Sequence, residues 1–224
     1  MDSASSWQHA DFQRQWEIAD RQLRQLRRGK PPPVFASFIA LMNGYVDPSR
    51  PLSLLDCACT TGYYLDVIRF ALRHRITFTG SDLASAAIEI ARARHPDVSW
   101  HVANLTQLPF ANGEFDIVMA SGVLEHVPDW RLALEEICRV AAGQIILHRL
   151  PISPTGRFSD GEVEMYGIST PRHSFAFHDI VEILLGRGFL LIGSLDTYAS
   201  FEIPEQTVLF RRRELVGVAP TPGK

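Results

Sequence analysis

The chain has little cysteine, no long apolar run and no marked excess of charge of either sign. Its three cysteines, at positions 57, 59 and 138 of 224 residues, cannot make a paired disulfide framework and point to a reducing compartment. Cys57-x-Cys59 has no second pair to complete a zinc site, so both read as small packing residues. No stretch approaches the roughly 18 apolar residues of a membrane span, and the N-terminus shows no apolar signal core, so a cytoplasmic location is expected. Lys and Arg number 22 against 25 Asp and Glu, for a net charge of -3. That balance excludes a general attraction to nucleic acid or anionic membranes and favours small-molecule or protein partners. No internal repeat is visible.

What is present is an ordinary globular composition, 46% apolar, with chain enough for a full core. Residues 3–28 predict a helix, with N-caps available at Ser3, Ser5 and Ser6, and with Trp7, Phe12, Trp16, Leu23 and Leu26 recurring at helical spacing. Arg21, Arg24, Arg27 and Arg28 crowd its end, where the helix dipole favours cations. Without interleaved aromatics this is a solvated face rather than an RNA-binding one. Gly29 and Pro31 to Pro33 stop it, and a second helix is expected over 34–43.

From residue 52 strands and helices alternate. Strands are expected over 52–55, 76–80, 98–102, 115–120 and 144–148, and helices from Tyr63 onward and over 83–95, 130–140 and 179–186. This βαβ alternation implies a doubly wound, mostly parallel α/β sheet that binds ligands at the carboxyl ends of its strands. Strands over 189–195 and 207–210 have no helix between them, which demands an antiparallel pairing at the end of the sheet. The expected organisation is an N-terminal helical lid over 1–46, an α/β domain over 47–213 and a flexible tail over 214–224.

The turn after the first strand is the centre of the pattern. Leu52, Leu54 and Leu55 make a buried strand, Asp56 ends it, and Gly62 opens a helix, an arrangement that offers backbone N–H groups and a positive dipole to a ligand. Gly62 has no Cβ to hold a ligand away. Ala58 and Thr60 stand where a nucleotide-binding turn usually has further glycines, and a β-branched residue is an outlier at positive φ. Asp82 follows 20 residues after Gly62 at the end of the second strand. It suits a ribose diol in any adenosine cofactor, and equally an N-cap for the helix that follows.

Asp56, Ala58, Thr60 and Gly62 fall on the acidic and three glycine positions of the D-x-G-x-G-x-G motif of class I S-adenosylmethionine-dependent methyltransferases. The later series Asn104-Leu105, Leu108-Pro109-Phe110, Phe115-Asp116-Ile117-Val118, Val123-Leu124-Glu125-His126-Val127 and Arg139-Val140 resembles that of the small-molecule members of this family. The resemblance covers about residues 50 to 150. It implies a seven-stranded Rossmann-like sheet with an antiparallel last strand, preceded by helices that close over the pocket, with Trp7, Trp16 and Tyr45 as candidate lid residues. It also implies S-adenosylmethionine as cofactor. Asp56, Ala58, Thr60 and Gly62 would lie at its methionine end, with Ser121 and Gly122 beside them. Asp82 and Leu83 would hold the ribose, and Asn104 and Leu105 the adenine. The Asn104 amide oxygen would accept from the adenine amino group.

Methyl transfer asks the protein to align the reactants, exclude water and accept a proton from a hydroxyl acceptor. His148, at the end of the fifth strand, and His126 are the candidate bases. His178 and Glu182 have i, i+4 spacing, but two residues fall short of a ligand set, and capping or exposure explains them. The long segment 150–174 follows Arg149 and carries Arg157, Glu162, Glu164, Tyr166 and Arg172. It is expected to form the acceptor pocket, with Arg149 and Arg157 suited to a carboxylate or phosphate. The expected activity is methylation of an oxygen or nitrogen of a small polar metabolite, such as a sugar or natural-product intermediate, by a monomer or homodimer. Two alternatives differ in class. A scaffold that has lost catalysis is motivated by Ala58 and Thr60, whereas an NAD-dependent oxidoreductase shares Asp82 but lacks the glycine fingerprint.

Overall fold

A computed structural model describes residues 6–199 and 202–215. The sheet has seven strands: β1 (Leu52–Cys57), β2 (Ile76–Asp82), β3 (Ser99–Val102), β4 (Phe115–Ser121), β5 (Ala141–Pro151), β8 (Phe189–Tyr198) and β9 (Glu205–Arg212). Their order is β3-β2-β1-β4-β5-β9-β8. The first five are parallel, and β9 runs antiparallel to both β5 and β8. A short hairpin of β6 (Glu162–Met165) and β7 (Ile168–Pro171) stands apart from this sheet. Among the described residues the α-helices are α1 (Phe12–Arg27), α2 (Pro33–Tyr45), α3 (Tyr63–Ala71), α4 (Ser85–Arg94), α5 (Trp130–Val140) and α6 (Phe177–Gly186).

Alternation along the central strands supplies two cores. Leu54, Ile117, Met119, Ile146 and Leu209 point to the face covered by α1 to α4. Their neighbours Leu55, Val118, Ile145, Val208 and Phe210 point to the face covered by α5 and α6. Such strands carry apolar residues on both sides because helices cover both faces. Cys57 and Cys59 fall in opposite cores, as buried packing residues.

The chain crosses from β3 at one edge to β4 on the far side of β1. Strand order therefore reverses between β1 and β4, where an open α/β sheet leaves a crevice at its carboxyl edge.

Two expected elements differ in the structure. The helix expected over 3–28 is interrupted. Trp7–His9 is a single 3-10 turn, Ala10 is extended, and α1 starts after Asp11, whose carboxylate accepts from the Arg14 N–H at 2.9 Å. The Asp11 cap sets the boundary, Ser6 makes no side-chain cap bond, and Ser3 and Ser5 lie outside the described residues. The segment 150–174 is no simple loop, because it holds the β6–β7 hairpin. Tyr166 (φ 49°) and Gly167 (φ 79°) form its two-residue turn, with the positive φ values that match a hairpin's twist. Of the tail expected over 214–224, residues 216–224 lie outside the described residues. Among the described residues, no helix is long and apolar enough to cross a membrane.

Candidate active site

A cavity of about 450 Å³ opens at the carboxyl ends of β1, β2 and β4, within the usual range for ligand pockets. Its floor is the turn after β1. Ala58 (φ 69°), Thr60 (φ 48°) and Gly62 (φ 74°) all adopt left-handed backbone. The turn thus keeps, with two side-chain-bearing residues, the alternation that three glycines would adopt freely. A left-handed L-residue costs on the order of 1–2 kcal/mol, and neighbouring bonds oppose that cost. Ala58 and Cys59 donate their N–H groups to the Ser81 carbonyl at 2.7 and 2.9 Å. Thr60 donates its N–H to Asp82 Oδ2 at 2.8 Å and its hydroxyl to the Cys59 carbonyl at 2.8 Å.

Asp82 lies on the cavity wall with Leu83. Its other oxygen accepts the Ala84 N–H at 2.9 Å, so the acid anchors the β1 turn and the start of α4 together. Burial raises its pKa, against the opposing effect of these backbone donors. Asn104, Leu105 and Ser121 also line the cavity. The Asn104 amide oxygen accepts from the Thr106 N–H and hydroxyl at 3.0 and 2.9 Å. Its oxygen is therefore committed locally, contrary to expectation, and the NH2 group is the end left to meet an adenine ring nitrogen as a donor.

Asp56 and Gly62 do not line the cavity. Gly62 is small for a different reason, because a Cβ there would stand 2.5 Å from the Trp100 indole, which also packs against Gly80. Asp56 is fully buried beneath the turn, and neither carboxyl oxygen makes a hydrogen bond among the described residues. Burial, reinforced by Asp82, pushes its pKa well up.

The two candidate bases separate. His148 is buried away from the cavity, with Nε2 2.5 Å from the Tyr64 hydroxyl and Nδ1 2.6 Å from Thr207 Oγ1. Burial drives its pKa down to about 3, helped by Arg149. A histidine with both nitrogens engaged and a pKa that low takes no proton from a substrate, so His148 is a buried core residue and not the expected base. His126 does line the cavity. Its Nδ1 lies 2.7 Å from the Pro171 carbonyl and carries the hydrogen, which leaves Nε2 as the basic nitrogen, 3.8 Å from Glu125 Oε1.

The sequence reading passed over Glu125, although it lies inside the Leu-Glu-His stretch. It is 5% exposed and lines the cavity, and burial raises its pKa. Arg149 lines the cavity too, at positive φ (57°). Its guanidinium is already paired with buried Glu205, at 2.9 and 3.3 Å. Arg157 is exposed and outside the cavity, so the expected pair of arginines for an anionic acceptor is not assembled.

Trp7, residues of α1, and Met165 and Tyr166 of the hairpin also line the cavity. Asp11 donates its N–H to the Tyr166 carbonyl at 2.9 Å, which joins the two lids. Trp16 instead packs under Arg94, whose guanidinium lies 3.5 Å from its ring centroid, and Tyr45 is exposed beside Gly193. Neither lines the cavity. His178 is exposed at the start of α6, with Nε2 2.9 Å from Asp179 Oδ1.

Residues 55–146 match the methyltransferase-domain family model. An O-methyltransferase of Aspergillus sclerotiorum, resE, is 36% identical over 93 residues, covering 39% of this chain and 34% of that one. Norajmaline N-methyltransferase of Rauvolfia serpentina is 33% identical over 107 residues, covering 45% and 36%. The chain spans about a third to under half the length of the curated relatives it matches. Among solved structures, magnesium protoporphyrin IX methyltransferase from Synechocystis, with bound S-adenosylmethionine, superposes with a TM-score of 0.56 at 18% identity, covering 80% and 77%. The [4+2]-cyclase SpnF superposes at 0.58 and 16% identity, covering 80% and 81%. At such identities these two establish the fold alone. The family match over residues 55–146, the strand order and the left-handed turn at 58, 60 and 62 agree, and this part of the chain is similar to the domain of class I S-adenosylmethionine-dependent methyltransferases.

Proposed function

We propose that this chain transfers a methyl group from S-adenosylmethionine to an oxygen or nitrogen of a small polar metabolite, such as a sugar or natural-product intermediate. The observation that carries this reading is the cavity at the strand-order reversal, floored by the family's motif turn and walled by Asp82 and Asn104. Relatives named as O- and N-methyltransferases support the reaction type.

When bound, S-adenosylmethionine supplies a methyl group on a positively charged sulfur, which departs as a neutral thioether. Asp82 retains lone pairs for ribose hydroxyls after accepting two backbone N–H bonds. Leu105 gives an apolar wall, and Asn104 presents its NH2. Ala58, Thr60 and Ser121 border the side where the methionine portion would lie. The orphaned Asp56 carboxyl beneath the turn is a buried polar group that a neighbouring hydrogen-bond partner would satisfy. Trp7 and the β6–β7 turn enclose the reactants and keep water out.

A non-catalytic or non-methylating use of the fold is the second reading, favoured by the side chains at 58 and 60 and by the likeness to a cyclase. Titration calorimetry with S-adenosylmethionine and S-adenosylhomocysteine, followed by tritiated-methyl transfer to a metabolite panel, tests both. Micromolar binding, about -8 kcal/mol, with label transfer supports methylation. Binding without transfer favours the second reading, and absence of binding removes the first.

A further inference from the structure

The charge at the acceptor end of the cavity runs opposite to what the arginines suggested. Arg149 and Glu125 both stand beside Gly122, where a Cβ would lie 3.0 Å from Arg149 Nη1 and 3.7 Å from Glu125 Oε1. The Arg149 charge is answered by bidentate Glu205, which is 3% exposed. The Glu125 carboxylate remains as a second acid beside them, so the trio is net negative once Glu125 is ionised. Glu125 is 95% buried and still faces the cavity. The cation within 4 Å of it is at most His126, at 3.8 Å, and that ring already spends its Nδ1 hydrogen on Pro171.

Around this carboxylate the walls are aromatic. The Trp7 ring lies 5.5 Å from His126, and Tyr166 of the hairpin turn also lines the cavity. A buried acid next to aromatic faces is a setting for a cation, which gains a charge-assisted hydrogen bond and ring-face attraction together. An incoming carboxylate or phosphate would meet the Glu125 carboxylate beside a guanidinium whose Nε and Nη2 are already paired with Glu205.

Building on the methyl-transfer reading, we propose that the acceptor is an amine, that Glu125 binds its ammonium form between Trp7, His126 and Tyr166, and that Glu125 then takes its proton. The ammonium gives one proton to the carboxylate and becomes a neutral amine. The nitrogen lone pair forms the new N–CH3 bond as the cofactor's C–S bond breaks, leaving that electron pair on sulfur. The product is an N-methylammonium. The burial that raises the carboxyl's affinity for a proton lessens the mismatch with an amine.

Three probes of one shape decide this on the native chain: phenethylamine, 2-phenylethanol and 3-phenylpropionate, titrated calorimetrically with and without saturating S-adenosylhomocysteine. Phenethylamine is expected to bind at least about tenfold more tightly than the alcohol, and the carboxylate more weakly than either. In Glu125→Gln the amine should fall to the level of the alcohol. Equal binding of amine and alcohol, preference for the carboxylate, or no binding of any probe at millimolar concentration would overturn the proposal. So would an amine preference that survives in Glu125→Gln, or a loss of S-adenosylhomocysteine affinity in that variant with the amine preference intact. Failure of S-adenosylhomocysteine to bind the native chain would remove the methyl-transfer reading instead, and the amine preference without it is read separately.

Discussion

Thr60 and Asp82, 22 residues apart, are joined by a 2.8 Å bond from a backbone N–H to a carboxylate oxygen. The acid closing β2 therefore holds the shape of the turn closing β1, and the two cannot be altered independently.

Asp82→Ala should accordingly lose both stability and cofactor binding. It strands the Thr60 and Ala84 N–H groups, at a cost of about 2–3 kcal/mol. Calorimetry with S-adenosylhomocysteine should show at least about tenfold weaker binding. Asp82→Asn, which keeps one acceptor, should recover part of the stability in urea titrations.

Thr60→Gly removes a left-handed β-branched residue but also its hydroxyl bond to the Cys59 carbonyl. Relief of about 1–2 kcal/mol is offset by the greater unfolded-state freedom of glycine, about 0.5–1 kcal/mol, and by the lost bond. The expected net stability change is therefore small. Cofactor affinity should move by only a few-fold, since the backbone already has the required shape. A rise from no binding to measurable binding would mark the native turn as disabled and favour the scaffold reading.

Gly62→Ala places a methyl 2.5 Å from the Trp100 indole on a residue with φ 74°. Overpacking and backbone strain together should destabilise by about 2–4 kcal/mol. Trp100→Phe in the same chain should return part of that loss, so a double-mutant cycle is expected to show coupling above about 0.5 kcal/mol.

His148 makes the fold acid-sensitive in a defined window. Its folded pKa, about 3, lies below its ordinary value of 6.5. Below pH 6.5 the unfolded chain binds a proton that the native state refuses, so stability falls as pH drops toward 3. At pH 5 this loss amounts to about 2 kcal/mol. The slope of urea stability between pH 7 and 5 should flatten in His148→Gln. An unchanged slope would show that other groups dominate acid unfolding.

The alternation of apolar residues on the central strands, the βαβ order and the antiparallel ending were legible in the sequence because they follow from local periodicity and connection length. The hairpin at 162–171 was less so, since Tyr166-Gly167 is a weak turn signal in a polar stretch. Ala58 and Thr60 of the motif turn, Asp82, Asn104 and His126 could be located from residue type and spacing, and all border one cavity. Direction could not be read in the same way. Asn104 turns its oxygen to Thr106, Gly62 yields to Trp100 rather than to a ligand, and His148 is sealed between Tyr64 and Thr207.

Sequence by itself determined which residues stand at the carboxyl ends of the strands, because the period-two alternation and the βαβ connections leave little choice of sheet. Tertiary structure alone decided which of their side chains remain available to a ligand. Pairing and burial are properties of neighbours distant in the chain: Glu205 pairs with Arg149 across 56 residues, and Glu125 lines the cavity whereas His148 is sealed away from it.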